Sequence, residues 1–179
     1  MSRVRIVGGQ WRSRLLPVAQ VVGLRPTPDR VRETLFNWLG QELSGWRVLD
    51  LFAGSGVLGF EAASRGAASV LMVERDPTAL QWLGRSAKTL SASCVEMFRG
   101  DAVKFASTCE RPFDLVFVDP PYGMGLVDRV GEHLDRLLVA DGWLYVEAER
   151  PLDGLGSWAT VKRGRAGQVY FQLMRGAPR

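Results

Sequence analysis

A chain of 179 residues, 46% hydrophobic and 23% charged, has the length of one domain and the composition of a globular protein, which excludes a disordered one. No apolar run approaches the roughly 20 residues of a membrane span, and one histidine with two distant cysteines excludes a Cys/His zinc set. The formal net charge of +4 is unevenly spread, because residues 1–32 hold seven arginines against one acid. That is the footprint of a phosphate-backbone binder on a near-neutral body. The N-terminal stretch has arginine but no apolar core or cleavage site of a secretory signal, so a cytoplasmic protein is expected.

In chain order, strands over 4–7 and 14–16 flank Gly8-Gly9, which suits a tight reversal. Trp11, among the arginines, either stacks on a base or covers the core. Thr27-Pro28 opens a helix, with Thr27 as its cap and Pro28 in its first turn. Val31, Leu35, Trp38 and Leu39 recur at helical spacing, and Gly40 ends the helix. From Trp46, apolar runs at 47–52, 69–74, 94–99, 113–118 and 143–148 alternate with helical stretches at 57–65, 77–90, 102–107 and 126–138. Such alternation predicts a parallel, doubly wound sheet covered on both faces. The final strands, 158–162 and 169–173, leave no room for a crossover helix and predict an antiparallel hairpin. The expectation is one domain over 1–179, with a basic hairpin extension at 1–24 and a core at 25–179.

The first core strand runs into Phe52-Ala53-Gly54-Ser55-Gly56, and Gly54, Gly56 and Gly59 satisfy G-x-G-x-x-G. Glu74 falls 20 residues after Gly54, where an acid would receive ribose hydroxyls of a nucleotide cofactor. The pattern fits NAD and S-adenosylmethionine alike. Asp50 favours the second, since a carboxylate there repels a pyrophosphate and receives a cationic amino group. The short chain also leaves nothing for a dehydrogenase's separate substrate domain.

Asp119-Pro120-Pro121-Tyr122 follows another apolar strand, at the sheet edge where ligands of open parallel sheets gather. Two prolines remove two N–H donors and leave acceptors, the Asp119 carboxylate and the Pro120 carbonyl. Acceptors suit a substrate presenting only donors, an exocyclic NH2 on a nucleobase, and Tyr122 offers a face for stacking. Gripping the amine hydrogens aims the nitrogen lone pair at a methyl group by positioning and electrostatics. Neither Cys94 nor Cys109 has the context of a nucleophile for attack through a pyrimidine carbon.

R-I-V-G-G at 5–9, R-P-T-P-D-R-V-R-E-T-L-F-N-W-L at 25–39, V-L-D-L-F-A-G-S-G at 48–56 and D-P-P-Y at 119–122 resemble the RsmD family over nearly the whole chain. These are bacterial methyltransferases acting on the exocyclic amine of one guanine in 16S ribosomal RNA. The glycine and D-P-P-Y motifs are shared with many amino-methyltransferases, whereas the block at 25–39 is more specific. The resemblance implies a Rossmann-like class I methyltransferase fold, α/β, with a seven-stranded sheet of order 3-2-1-4-5-7-6 and S-adenosylmethionine as cofactor. It implies that Asp50 and the turn of Phe52, Ala53, Gly54, Ser55 and Gly56 hold the amino-acid end of the donor. Glu74 and the adjoining Arg75 would hold its ribose, and Asp101 with Ala102 its adenine. Arg25, Pro26 and Thr27 would close over the methionine end with Arg30 nearby, and Asp119, Pro120, Pro121 and Tyr122 would be catalytic. Pro28 stands where a second threonine is expected, which touches only the capping detail.

The RNA grip is assigned to Arg3, Arg5, Arg12 and Arg14, with 16S ribosomal RNA as partner, free or within a small ribosomal subunit, and no metal or membrane. A DNA adenine-N6 methyltransferase is disfavoured by the lack of a DNA-recognition domain, and a non-catalytic RNA-binding domain by the complete acceptor turn. His133, Cys94 and Cys109 read as structural, Trp38, Trp46, Trp82 and Trp143 as core, and Lys162, Arg163 and Arg165 as a solvated turn.

Overall fold

The computed structural model describes residues 2–176. The N-terminal hairpin joins β1 (Arg3–Arg5) to β2 (Leu15–Pro17), antiparallel, with Val4 and Leu16 paired and turned inward. Helix α1 (Asp29–Leu39) buries Val31, Leu35 and Phe36 and ends at Gly40, whose N–H closes on the Phe36 carbonyl. Its N-cap is Pro28 with no side-chain cap, so Thr27 does not cap this helix, contrary to the sequence expectation.

Five strands and their crossovers follow: β3 (Arg47–Asp50), α2 (Val57–Ser64), β4 (Ser69–Glu74), α3 (Pro77–Thr89), β5 (Val95–Arg99), α4 (Ala102–Thr108), β6 (Phe113–Val118), α5 (Leu126–Gly131), α6 (Leu134–Leu137) and β7 (Leu138–Ala148). The chain closes with β8 (Gly154–Leu155), β9 (Trp158–Ala166) and β10 (Val169–Gly176). Across the main sheet the order is β5-β4-β3-β6-β7-β10-β9-β8. The pairs from β5 to β7 are parallel, and β10 is antiparallel to both β7 and β9. Without the N-terminal hairpin, the expected 3-2-1-4-5-7-6 order is present, and the two-residue β8 adds an edge strand the sequence did not announce.

Residues 126–138 form two short helices rather than one, and β7 begins at Leu138 rather than Trp143. The apolar spacing of Leu134, Leu137 and Leu138 serves a one-turn helix and the start of a strand equally well. Between the pairs Phe113–Leu138 and Leu115–Trp143 the register shifts, so residues 139–142 are extra on β7, and Asp141-Gly142 hides the strand's beginning.

Alternating strand residues feed two cores, one on each face of the sheet. Val48, Leu115, Phe117 and Tyr145 meet α1, α2, α3 and the hairpin. Leu49, Val116, Val118, Leu144 and Val146 meet α4, α5 and α6 through residues such as Ala106 and Leu134. Trp11 is buried in the first cluster, so it covers core and is not a stacking platform. Trp38, Trp46 and Trp143 pack at the margin of that core, whereas Trp82 is half-buried under the Arg85 guanidinium.

One arginine of the N-terminal basic run is not on the surface. Arg32 is 0% exposed and pairs with Glu61, itself 0% exposed on α2, and with Asp29. Its remaining donors go to the backbone carbonyls of Arg5 (2.7 Å) and Thr27 (3.0 Å). Glu61 also accepts from the Val7 N–H and from Arg65. The network therefore fastens the hairpin and the segment before α1 to α2. No helix among the described residues is long and apolar enough to cross a membrane.

Candidate active site

The site forms where β3 and β6 are neighbours and their crossovers leave in opposite directions, the ligand-binding edge of doubly wound sheets. Register pairs Asp50 with Phe117, and Phe117 with Tyr145. Two residues on, the same alternation brings Asp119, just past β6, beside Glu147 of β7 on the same face.

On the donor side, Gly54 and Gly56 have φ of +57° and +79°, and a Cβ on them would lie 2.6 Å from Leu24 Cδ1 and 2.5 Å from Leu83 Cδ2. This turn needs glycine twice over, for handedness and for space. Glu74 braces it from β4: Oε2 accepts the Gly54 N–H (2.8 Å) and Oε1 the Asp76 N–H (2.9 Å). Glu74 is half-buried, and Arg75 beside it is exposed. Asp50 is 1% exposed, and its Oδ2 accepts the Gly59 N–H (3.1 Å), joining β3 to the first turn of α2. Burial raises its carboxyl to about 7, the nearby Glu74 and Glu147 push the same way, and the Gly59 N–H opposes them. Phe52 is half-buried, while Ala53 and Ser55 are buried in the turn. Asp101 is exposed and caps α4 through the Lys104 N–H (2.9 Å), with Ala102 buried behind it.

On the acceptor side, Asp119 is half-buried, Pro120 buried and Pro121 exposed. The Tyr122 ring is 47% exposed at the loop surface. Burial, then Glu147 and Asp50, raise the Asp119 carboxyl well above its ordinary value, with the Thr27 hydroxyl opposing. The Tyr122 hydroxyl is pushed up to about 12 by burial, then by Asp119, Glu147 and Glu149.

Segment 24–27 bridges the two sides. Leu24 lies against Gly54, and the buried Thr27 hydroxyl donates to Glu147 Oε1 (2.8 Å) and lies 3.5 Å from Asp119 Oδ2. Pro26 is half-buried, and Arg25 and Arg30 are exposed. Thr27 therefore reaches the acceptor side rather than the glycine turn.

The hairpin arginines divide. Arg3 and Arg5 line a groove of about 510 Å³ with Leu15, Pro26, Thr27 and Asp29, next to the acceptor side. Arg12 and Arg14 are exposed at the other end of the hairpin, where Arg14 reaches the Thr89 carbonyl (3.3 Å) at the end of α3. A wider hollow of about 720 Å³ lies there too, lined by Gly84, Lys88 and Ser93, remote from the acceptor turn.

Sequence reasoning missed Glu147, Tyr145, Glu61 and the burial of Arg32. The available signal was an acid inside an otherwise apolar segment: Glu147 ends the run at 143–148, and Glu61 interrupts Gly59-Phe60 and Ala62-Ala63.

This strand order, with a glycine turn after the first core strand and an acceptor turn after the fourth, defines a class I methyltransferase fold. The chain belongs to the RsmD family: the family described as Conserved hypothetical protein 95 matches residues 4–175. It is 43% identical over 182 residues to Ribosomal RNA small subunit methyltransferase D of Escherichia coli strain K12, covering 96% of this chain and 89% of that relative. The protein of the same name from Haemophilus influenzae is 41% identical over 184 residues, covering 96% and 93%. A solved structure of yhhF from Escherichia coli superimposes with a TM-score of 0.88 at 42% identity, covering 99% of this chain and 100% of that one.

Proposed function

We propose that this protein methylates the exocyclic N2 amine of a guanine in 16S ribosomal RNA, with S-adenosylmethionine as donor and the small ribosomal subunit as the setting. Two relatives above 40% identity named as small-subunit ribosomal RNA methyltransferases support the reaction class. The observation that carries the amine as target is the turn after β6, which offers the Asp119 carboxylate and the Pro120 carbonyl and no N–H from Pro120 or Pro121.

The donor fits the residues present. The two glycines hold the turn in a left-handed backbone packed against Leu24 and Leu83, and the acids Asp50 and Glu74 beside it suit a cationic, ribose-bearing ligand. When bound, it supplies an electrophilic methyl group on a cationic sulfur. Glu74, at the end of β4, would hold ribose hydroxyls, and Asp101 with Ala102 the adenine. The Gly54–Gly56 turn with Arg25 and Pro26 would enclose the amino-acid end, with Arg30 and Arg75 at the rim and Thr27 on the acceptor side. Asp50 acts there through its charge from beneath the turn. Asp119 and the Pro120 carbonyl would grip the amine hydrogens, which turns the nitrogen lone pair outward and favours its tetrahedral form. Tyr122 would carry the guanine ring, and Arg3 and Arg5 would meet phosphates beside the site, with Arg12 and Arg14 farther along the RNA.

Incubating the protein with labelled donor and unmodified small subunits or 16S RNA should yield N2-methylguanosine by nucleoside mass spectrometry. Asp119→Ala should abolish it while donor affinity, measured by calorimetry, stays within about twofold. A methyl group found on a ring carbon or on adenine refutes the assignment.

A further inference from the structure

Glu147 has no task in the reaction as written, yet its surroundings are built. It is 6% exposed, and its Oε1 accepts the Tyr145 hydroxyl at 2.6 Å and the Thr27 hydroxyl at 2.8 Å. The Thr27 oxygen lies 3.5 Å from Asp119 Oδ2, and the strand register sets Asp119 and Glu147 side by side. Glu147 is buried and Asp119 half-buried, and two carboxyl groups set side by side oppose each other's second negative charge. The other titratable groups facing the pair are Asp50 from β3, Tyr145 from β7, and Tyr122 and Glu149 from the flanking loops. Arg32 comes as near as the Thr27 carbonyl, but it is committed to Glu61 and Asp29. The Tyr145 hydroxyl is itself pushed well above its ordinary value by burial, then by Glu147, so it stays a donor.

We propose that Glu147 is a positioning residue that shares one proton with Asp119 and keeps it while Asp119 engages the substrate amine. The inference rests on the amine-methylation reading above. In the free protein the pair carries one proton and one negative charge. Docking of the amine N–H donors draws the charge onto Asp119 and leaves the proton on Glu147. The nitrogen lone pair forms the new N–C bond as the methyl–sulfur bond breaks with its electron pair left on sulfur; on the resulting cationic nitrogen one N–H bond then breaks and its electron pair stays on nitrogen. The proton moves to the Asp119 carboxylate, so nitrogen and Asp119 both end neutral, and water then carries the proton away. Thr27 and Tyr145 serve by fixing the Glu147 carboxylate in the plane from which it can reach Asp119.

The test compares the native protein with Glu147→Gln and Tyr145→Phe by carboxyl carbon NMR titration of the ligand-free protein and by single-turnover methylation against pH. Glutamine keeps the shape and removes the charge, so the Asp119 transition should fall by about one pH unit or more. The acidic limb of the rate profile should fall with it, while donor affinity stays within about twofold. Tyr145→Phe removes a donor from Glu147 and no charge, so the shared proton moves toward Glu147 and the Asp119 transition should again fall, by less; it serves where Glu147→Gln does not fold. An Asp119 transition that stays in place in the folded variants overturns the shared proton. A transition that moves while the rate limb does not overturns its part in the reaction. Because the titration needs no substrate, it decides the first point even where no RNA is methylated, a result that would sink the methyltransferase reading instead.

Discussion

Asp50→Asn separates the cost of a buried charge from the architecture around it. Asparagine keeps an oxygen to accept the Gly59 N–H, so the join between β3 and α2 survives, and only the titration disappears. The native carboxyl rises from 3.8 to about 7 on folding. A group whose folded value lies above its unfolded one contributes stability that is complete below the unfolded value and is lost as pH rises through the folded value. At about 1.4 kcal/mol per unit, the native protein should lose up to about 4 kcal/mol relative to the variant, of which about 3 kcal/mol falls between about pH 4.5 and pH 8.5. Urea unfolding of both proteins across that range, with equal m-values as the check on two-state behaviour, measures the difference directly. The variant should gain on the native protein steadily as pH rises and stop gaining above about pH 8. A gap that is the same at both ends of the range would show that Asp50 titrates alike in the folded and unfolded chains, and the buried-charge argument would fail.

Tyr122→Phe should keep most of the single-turnover rate and Tyr122→Ala should lose about 1–3 kcal/mol of it, since a stacking face needs no hydroxyl; equal damage from both would rule out stacking. Arg32→Met should destabilise by about 1.5–3 kcal/mol in urea, because the buried Glu61 loses one of its two cationic partners and keeps Arg65. The double variant with Glu61→Leu should recover part of that loss, and a single variant within about 1 kcal/mol of native would refute the network's role. Replacing Arg3, Arg5, Arg12 and Arg14 by alanine should flatten the salt dependence of RNA affinity by about 0.7–0.9 in log–log slope per lost phosphate contact. Donor affinity should hold, and an unaltered slope would mark these arginines as a solvated surface.

The sheet was legible because its strands are short apolar runs bounded by glycine, proline and acids, and because each crossover has its own helical period. The C-terminal hairpin was legible from loop length alone. The single helix drawn through 126–138 was wrong, since a stripe of leucines does not say where a helical turn ends and a strand begins. At the site, the glycine and proline turns announce themselves because backbone geometry restricts which residues fit. Glu147 and Glu61 did not, because single acids inside apolar segments acquire their meaning from partners far away in the chain: Thr27 for one, Arg32 for the other. Arg32 was counted with the surface arginines for the same reason. Composition records its charge, and only packing reveals that the charge is spent inside.

The Arg32 network also sets an order of assembly. Residues 3–8 are made well before the side chains they need: Glu61 accepts from the Val7 N–H, Arg32 donates to the Arg5 carbonyl, and Ser64 donates to the Gly8 carbonyl. The hairpin's apolar side, Val4, Ile6, Trp11 and Leu16, likewise waits for α1, α2 and α3 to form the face it covers. Contacts of such long sequence separation close late. The arginine-rich hairpin thus takes its fixed place only when the sheet and helices behind it exist. Removing residues 1–24 to obtain a smaller catalytic body would uncover that apolar face and deprive the Glu61–Arg32 pair of the Arg5 carbonyl and the Val7 N–H, so the apparent appendage behaves as the last piece of the core.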